Sequence, residues 1–295
     1  MPKMKNDIFL SWPDAFQQGV RLAGGKGWNL GRLDRYGFTV PAGGVLSTYA
    51  FQVFVLENHL QESIDEVSQK VTIDNIGAED TETLLATLRE KIMDCKMPSN
   101  VKDELASGLM TVGIIDQPVA VRSSATAEDS SKASFAGVHA SFLNVTGFEN
   151  ITRAVTECYA SLWTTRAVAY RRKMGIPDCE VLPAVVIMEM VNAKAAGIVF
   201  TCDPRTGEKG EIIISANFGL GESVVGGAVE PDLYYQDGRP HHALPKITKK
   251  KIGLKEGQTV IKPGGGTEFI RIAGQDTRQV LPDHEFVCNR SYCSD

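Results

Sequence analysis

An apolar strand that ends in an arginine and a run of hydroxyls can hold phosphate, and residues 118–126, PVAVRSSAT, have that form. Val119 and Val121 alternate as in a half-buried strand, so Arg122 emerges where the apolar run ends. A guanidinium grips two phosphate oxygens at once, and Ser123, Ser124 and Thr126 supply short hydroxyl donors beside it. The same arginine can instead form a structural ion pair with Glu128 or Asp129, and this stretch alone favours neither reading. Further on, SFAGVHASF sets Gly137 between two extended stretches, the pattern of a strand-turn-strand flap whose glycine lets backbone approach a ligand closely.

A second phosphate-handling string is GGKG at 24–27. Glycines around Lys26, Gly25 among them, permit positive φ and let backbone N–H groups approach an anion, which the lysine would meet as a point charge. The string is not a Walker A loop, because Gly27 stands where that motif needs Ser or Thr for magnesium. Taken alone, a glycine-flanked lysine is more often a surface turn. A third glycine-rich run, EIIISANFGLGESVVGG, has a strand before it but fails the dinucleotide spacing. After Gly219 and Gly221 the required third glycine is Val224, and glycine returns only at Gly226.

These residues must be positioned by elements whose signals change along the chain. Up to residue 116 the pattern is mostly helical: a short helix in GWNLGRLDRYG, an extended VPAGGVLST, then segments over Tyr49–Gln69, Thr81–Cys95 and Asn100–Leu109. Pro98 and Ser99 supply a break and a cap before the last of these, and residues 75–80 read as a loop. Short runs rich in valine and isoleucine follow: PVAVRS, ASFLNV, LPAVVIMEMV, AGIVFT, EIIISA and DLYYQ. One long helix interrupts them, FENITRAVTECYASLWTTRAVAYRRKMG, with Ile151, Ala154, Val155, Cys158 and Leu162 at helical spacing. Arg171, Arg172 and Lys173 near its end suit the helix dipole and solvent better than phosphate. The expectation is an α+β architecture of two lobes: a helix-rich lobe over 1–116, a β-rich lobe over 117–245 carrying a nucleotide cleft, and a further segment over 246–295.

The chain has 295 residues, of which 43% are hydrophobic, ample for a core. A formal charge of −5 argues against a general nucleic-acid or membrane-surface binder. The only basic run, Lys246 to Lys255, reads as a solvated turn. Six cysteines show neither a CxxC pair nor a histidine partner at zinc spacing, as expected of reduced thiols in a cytoplasmic protein. The longest apolar stretch, Leu182 to Val191, is about half of what a bilayer crossing needs and contains Glu189. The N-terminus has no apolar core of signal-peptide length.

The three strings GGKGWNLG, PVAVRSSATAEDSSKASFAG and FTCDPRTG with ANFGLGESVVGGAVEPDLYY occur in one order over about residues 20–240. Together they resemble the N-terminal nucleotide-binding domain shared by phosphoenolpyruvate synthase, pyruvate phosphate dikinase and rifampicin phosphotransferase, with a pattern nearest the synthase. The resemblance implies an ATP-grasp-like fold whose two lobes close on ATP. It implies that Lys26 and Arg122 contact the polyphosphate, with Gly25, Ser123 and Ser124 beside it and Gly137 and Ser141 on or next to the flap. IMEMV becomes the adenine hinge, with Met188, Glu189 and Met190 at the base or ribose. This sequence departs from the family there, which often has Gln at position 188 and Lys at 189.

The family reaction moves phosphate from ATP to a histidine on a separate swivelling domain, then to pyruvate or to a drug hydroxyl. None of His59, His139, His241, His242 and His284 has the Thr-Ser-His or Ser-His setting of that histidine. The family's magnesium ligands lie in later segments resembling QDIEWA and QxRP. Residues 281–295 begin like the approach to them, and of the carboxylates Asp203, Glu222, Glu230 and Asp232 none matches the family's metal position. The expectation is therefore a C-terminally incomplete ATP-binding portion of a dikinase-type phosphotransferase, with little turnover by itself. The alternative is a stand-alone nucleotide-binding or regulatory module without phosphoryl transfer.

Overall fold

The computed structural model describes residues 8–126, 140–204, 206–207, 209–237, 247–272 and 278–281. The chain divides into two compact units, Met1–Met190 and Val191–Asp295. The first contains β1 (Phe9–Ser11), α1 (Trp12–Gln18), α2 (Val20–Arg35), β2 (Gly43–Leu46), α3 (Thr48–Glu57), α4 (Gln61–Lys70), α5 (Glu79–Asp94) and α6 (Ser99–Thr111). It continues through β3 (Val119–Ala125), β4 (Ser141–Val145), α7 (Phe148–Ser161), α8 (Thr165–Met174) and β5 (Pro183–Glu189). The second contains β6 (Ala195–Cys202), β7 (Lys209–Phe218), α9 (Glu222–Val225), β8 (Asp232–Asp237), β9 (Ile247–Lys251), β10 (Gly257–Ile261) and β11 (Thr267–Arg271). All strand pairings within the sheets are antiparallel, so the fold is α+β. The change of character at residue 116 is a change from helix to strand inside the first unit; the units themselves part after Met190.

The first unit is organised by a five-stranded sheet of order β1-β2-β5-β3-β4. Side chains alternate across a strand, so β3 and β5 each supply two faces. Val119, Val121, Ala125, Val185 and Ile187 enter a large core with Phe51, Phe54, Leu85, Leu105 and Tyr159 from the helices. Ala184 and Val186 enter a smaller core with Leu10, Trp12, Ala23 and Val45, which α1 and α2 cover. Each large apolar side chain buried this way stabilises the fold by about 1.5–3 kcal/mol before ordering costs are subtracted.

The helices depart from the sequence reading at two breaks. Tyr49–Gln69 is not one helix: α3 ends at Glu57 and α4 starts at Gln61, with His59 in the left-handed region at φ 54. The long helix after Phe148 also divides, because Thr164 is extended and its hydroxyl accepts from the Ala167 amide, capping α8 as a new helix. α8 ends at Gly175, φ 65, and the chain turns back so that Asp178 meets the helix it has just left. Arg171, expected to point into solvent, is only 1% exposed, and its Nε donates to Asp178 at 2.7 Å. Arg172 donates to the same carboxylate at 3.0 and 2.7 Å, and Ser68 at 2.9 Å. Burial opposes ionisation of Asp178, but these donors and charges outweigh it and hold its carboxyl below the ordinary value.

The second unit has a sheet of order β6-β7-β8-β9 and a β10-β11 hairpin. Its small core holds Ala216, Tyr234 and Val280. Asp232 is the polar counterpart of that core. Its carboxylate accepts from Lys255 Nζ at 2.5 Å, the Gly253 amide at 2.9 Å, the Tyr234 hydroxyl at 3.0 Å and the Val280 amide at 2.8 Å. Lys255 and Asp232 are both fully buried, a pair that only this saturation makes tolerable. The lysines of β9 stand on the edge strand of the sheet, where charge discourages pairing with another chain.

Candidate functional site

The site begins at α2, which is two helical stretches joined across a kink at Gly24, φ 66 and ψ 174. A side chain there would be strained by φ, and its Cβ would lie 1.8 Å from the Ser124 carbonyl oxygen. Glycine therefore lets the helix backbone rest directly on β3. Gly27 plays a related part against β2, where a Cβ would approach Val45 Cγ2 to 2.7 Å. Ser124 fastens the junction: its hydroxyl donates to the Ala23 carbonyl at 3.0 Å and accepts from the Gly27 amide at 3.0 Å. The second stretch of α2 thus starts at the sheet, and helix N-termini favour anions.

Lys26 follows from this placement. Its Nζ donates to the Ser123 carbonyl at 3.0 Å, one residue from Arg122, although the two are 97 positions apart in sequence. Arg122 and Ser124 share a face of β3 by alternation, the face that α2 covers. Among the described residues no carboxylate pairs with the Arg122 guanidinium. Glu128 and Asp129, the partners of the ion-pair reading, lie outside the described residues, as does Gly137 of the expected flap. Ser141 is opposite Arg122 in the β3–β4 register and is exposed.

Ser123 is placed differently from its neighbours. Alternation turns it toward the large helical core; it is fully buried, and its hydroxyl has no partner among the described residues. The three hydroxyls of the RSSAT string therefore do three things: Ser123 lies inward, Ser124 fastens α2, and Thr126 donates to the Glu180 carbonyl at 2.8 Å.

The hinge string lies at the end of β5. Met188 is opposite Ala120 and Gly43, and packs against the α2-side core. It stands two residues beyond Val186, the partner of Arg122, so Met188 and Arg122 occupy one face roughly 7 Å apart along the strand. Glu189 is exposed. The amides of Glu189 and Met190 are already engaged, donating to the Ala42 carbonyl at 2.8 Å and the Pro118 carbonyl at 2.9 Å. A base docking here would find these two backbone donors taken.

Gly25 lies in the helical stretch after the kink, and the positive φ falls on Gly24, which sequence reasoning did not single out. Its signal is the doubled glycine, but which of the two carries the kink depends on Ser124, far along the chain. Among the described residues no group of three or more His, Cys, Asp and Glu could hold a metal ion. No described helix is long and apolar enough to cross a membrane.

The family model for the pyruvate phosphate dikinase AMP/ATP-binding domain matches residues 20–288. A probable phosphoenolpyruvate synthase of Staphylothermus marinus is 40% identical over 97% of this chain and 34% of its own length. One from Methanocaldococcus jannaschii is 34% identical over 94% of this chain and 23% of its own length. A rifampicin phosphotransferase from a Streptomyces species is 36% identical over 96% of this chain and 32% of its own length. The chain thus spans about a quarter to a third of these relatives. The matched model covers the α2 kink, the Arg122 strand and the hinge string together, and the chain belongs to the pyruvate phosphate dikinase AMP/ATP-binding domain family.

Proposed function

We propose that this chain binds ATP on the α2 face of the five-stranded sheet, as the nucleotide-binding portion of a phosphoenolpyruvate synthase-like dikinase. In that reading phosphate passes from ATP to a histidine on a separate domain. The observation that supports it is the register of β3 and β5 under α2, which gathers Lys26, Arg122 and Met188 on one partly accessible face. Lys26 supplies a point charge and Arg122 a two-pronged grip for phosphate oxygens, with the start of the second α2 stretch adding its dipole. Ser124 acts through the helix it fastens. Met188 offers an apolar contact for the base, with Glu189, Met190, Ser141 and Gly25 near it in the fold; Gly137, the expected flap glycine, lies outside the described residues.

The fold in this reading is ATP-grasp-like, with the boundary between its two units falling within the hinge string, after Met190. Magnesium, which the family resemblance implies, does not find a ligand set among the described residues. Asp232 is saturated by four donors, and Glu230 pairs with Lys251 at 2.8 Å. No step is therefore assigned to a metal held by these groups.

Titration calorimetry of ATP with wild type and Arg122→Ala tests the reading. A charge-assisted contact is worth roughly 1.5–3 kcal/mol, so affinity is expected to fall by about ten- to a hundredfold. Equal affinity in both proteins would remove Arg122 from the site.

A further inference from the structure

β5 is the central strand of its sheet, so its backbone is paired with β2 on one edge and β3 on the other. The pairing carries on past the strand's end, where the Glu189 amide donates to the Ala42 carbonyl at 2.8 Å and the Met190 amide to the Pro118 carbonyl at 2.9 Å. Within the first unit, the hinge string therefore offers a base no spare amide at Glu189 or Met190. The strand side chains around it offer no donor either. Met188 is half-buried on the α2 face, with Ala120 opposite it on β3 and Gly43 opposite it on β2. A thioether is a weak acceptor, and alanine and glycine have no polar side-chain atom.

The polar groups of this region are committed elsewhere. Glu189, the ionisable residue of the string, falls by alternation on the opposite face, the face of Ile187. Arg122 stands roughly 7 Å from Met188 along the strand, at the phosphate end of the face. Ser124 is spent on Ala23 and Gly27, and Lys26 on the Ser123 carbonyl. A site that hydrogen-bonds a substrate group rejects analogues lacking it, because its own polar groups are then left unpaired. An apolar wall has no such groups and discriminates weakly, and methionine adapts its shape to what it meets. We infer that the base is held by apolar contact with Met188 and is not read by hydrogen bonds, so that the site accepts GTP and ITP alongside ATP. This rests on the proposed binding of nucleotide at the α2 face.

The whole chain is titrated calorimetrically with ATP, GTP, ITP and inorganic tripolyphosphate in one buffer. The three nucleotides are expected to bind within about threefold of one another, and tripolyphosphate, which has no base to rest on Met188, about tenfold more weakly. Met188→Ala is expected to weaken ATP and GTP by the same factor and to leave tripolyphosphate unchanged. A larger preference for one base would overturn the inference while leaving the ATP reading in place. Tripolyphosphate binding as tightly as ATP, or a folded Met188→Ala with wild-type ATP affinity, would also overturn it, because the base would then not rest on Met188. Binding of none of the four would remove the ATP reading and the inference with it. Should Met188→Ala fail to fold, the wild-type comparison decides alone.

Discussion

The two faces of the five-stranded sheet come from the same strands, β3 and β5, yet they differ in what they tolerate. The helical face is an apolar seal in which Val119, Val121, Val185 and Ile187 meet side chains from the helices around them. The α2 face has a small core and carries Arg122, Ser124 and the lysine that α2 brings in. One face buries the little polar chemistry it has, the Ser123 hydroxyl included, and the other leaves Arg122 and Lys26 partly exposed. Strand alternation thus lets one segment of seven residues serve stability on one side and present the residues of the proposed ATP site on the other.

The largest way to break this contrast lies on the sealed side. Asp178→Ala leaves the buried Arg171 without its counter-charge and is expected to cost about 3–5 kcal/mol in denaturant unfolding. The same carboxyl makes the wild type acid-sensitive. Its folded pKa lies below the ordinary 3.8, so its contribution is complete above that value and is lost as pH falls through the folded pKa. Unfolding measured down through pH 3 should show this loss in wild type and a shallower acid limb in the variant.

Next is the α2 face at its closest approach. Gly24→Ala combines a left-handed φ with a Cβ driven into the Ser124 carbonyl, and is expected to cost about 2–4 kcal/mol and to weaken ATP binding together with stability. Calorimetric melting and ATP titration on one sample would show both or refute the coupling.

Smaller effects sharpen the comparison within a single pair of neighbours. Ser124→Ala removes the hydroxyl that both donates to Ala23 and accepts from Gly27, for an expected loss of about 1–3 kcal/mol. Ser123→Ala removes a buried hydroxyl with no partner among the described residues and is expected to change stability by less than about 0.5 kcal/mol, or to raise it. Equal costs for the two serines would show that the faces are not distinct in this way.

Much of this was legible in the sequence because it is local. The six β runs after residue 116 all form strands, and Gly175 closes a helix as a left-handed cap. The break before α8 carried a readable signal too, a threonine three residues ahead of the amide it caps, hidden by apolar spacing that continued across it. The site residues were found by chemical type, but their roles needed distant partners. Neither Gly24 nor Ser124 shows alone that they touch, since the two α2 residues that Ser124 bonds, Gly27 and Ala23, are 97 and 101 positions away in sequence. Burial of Arg171 was likewise unreadable, because it depends on a chain reversal that returns Asp178 to α8.

The sheet order also fixes when the site can exist. β5 is the central strand, paired on one side with β2 and on the other with β3, yet it is the last of the five to leave the ribosome. Until Pro183–Glu189 emerges, the β1-β2 and β3-β4 pairs are separate fragments with open hydrogen-bonding edges, and no register joins Arg122 to Met188. Synthesis therefore holds the first unit in two halves for most of its length, and the nascent chain is most exposed to wrong pairing just before residue 183 appears.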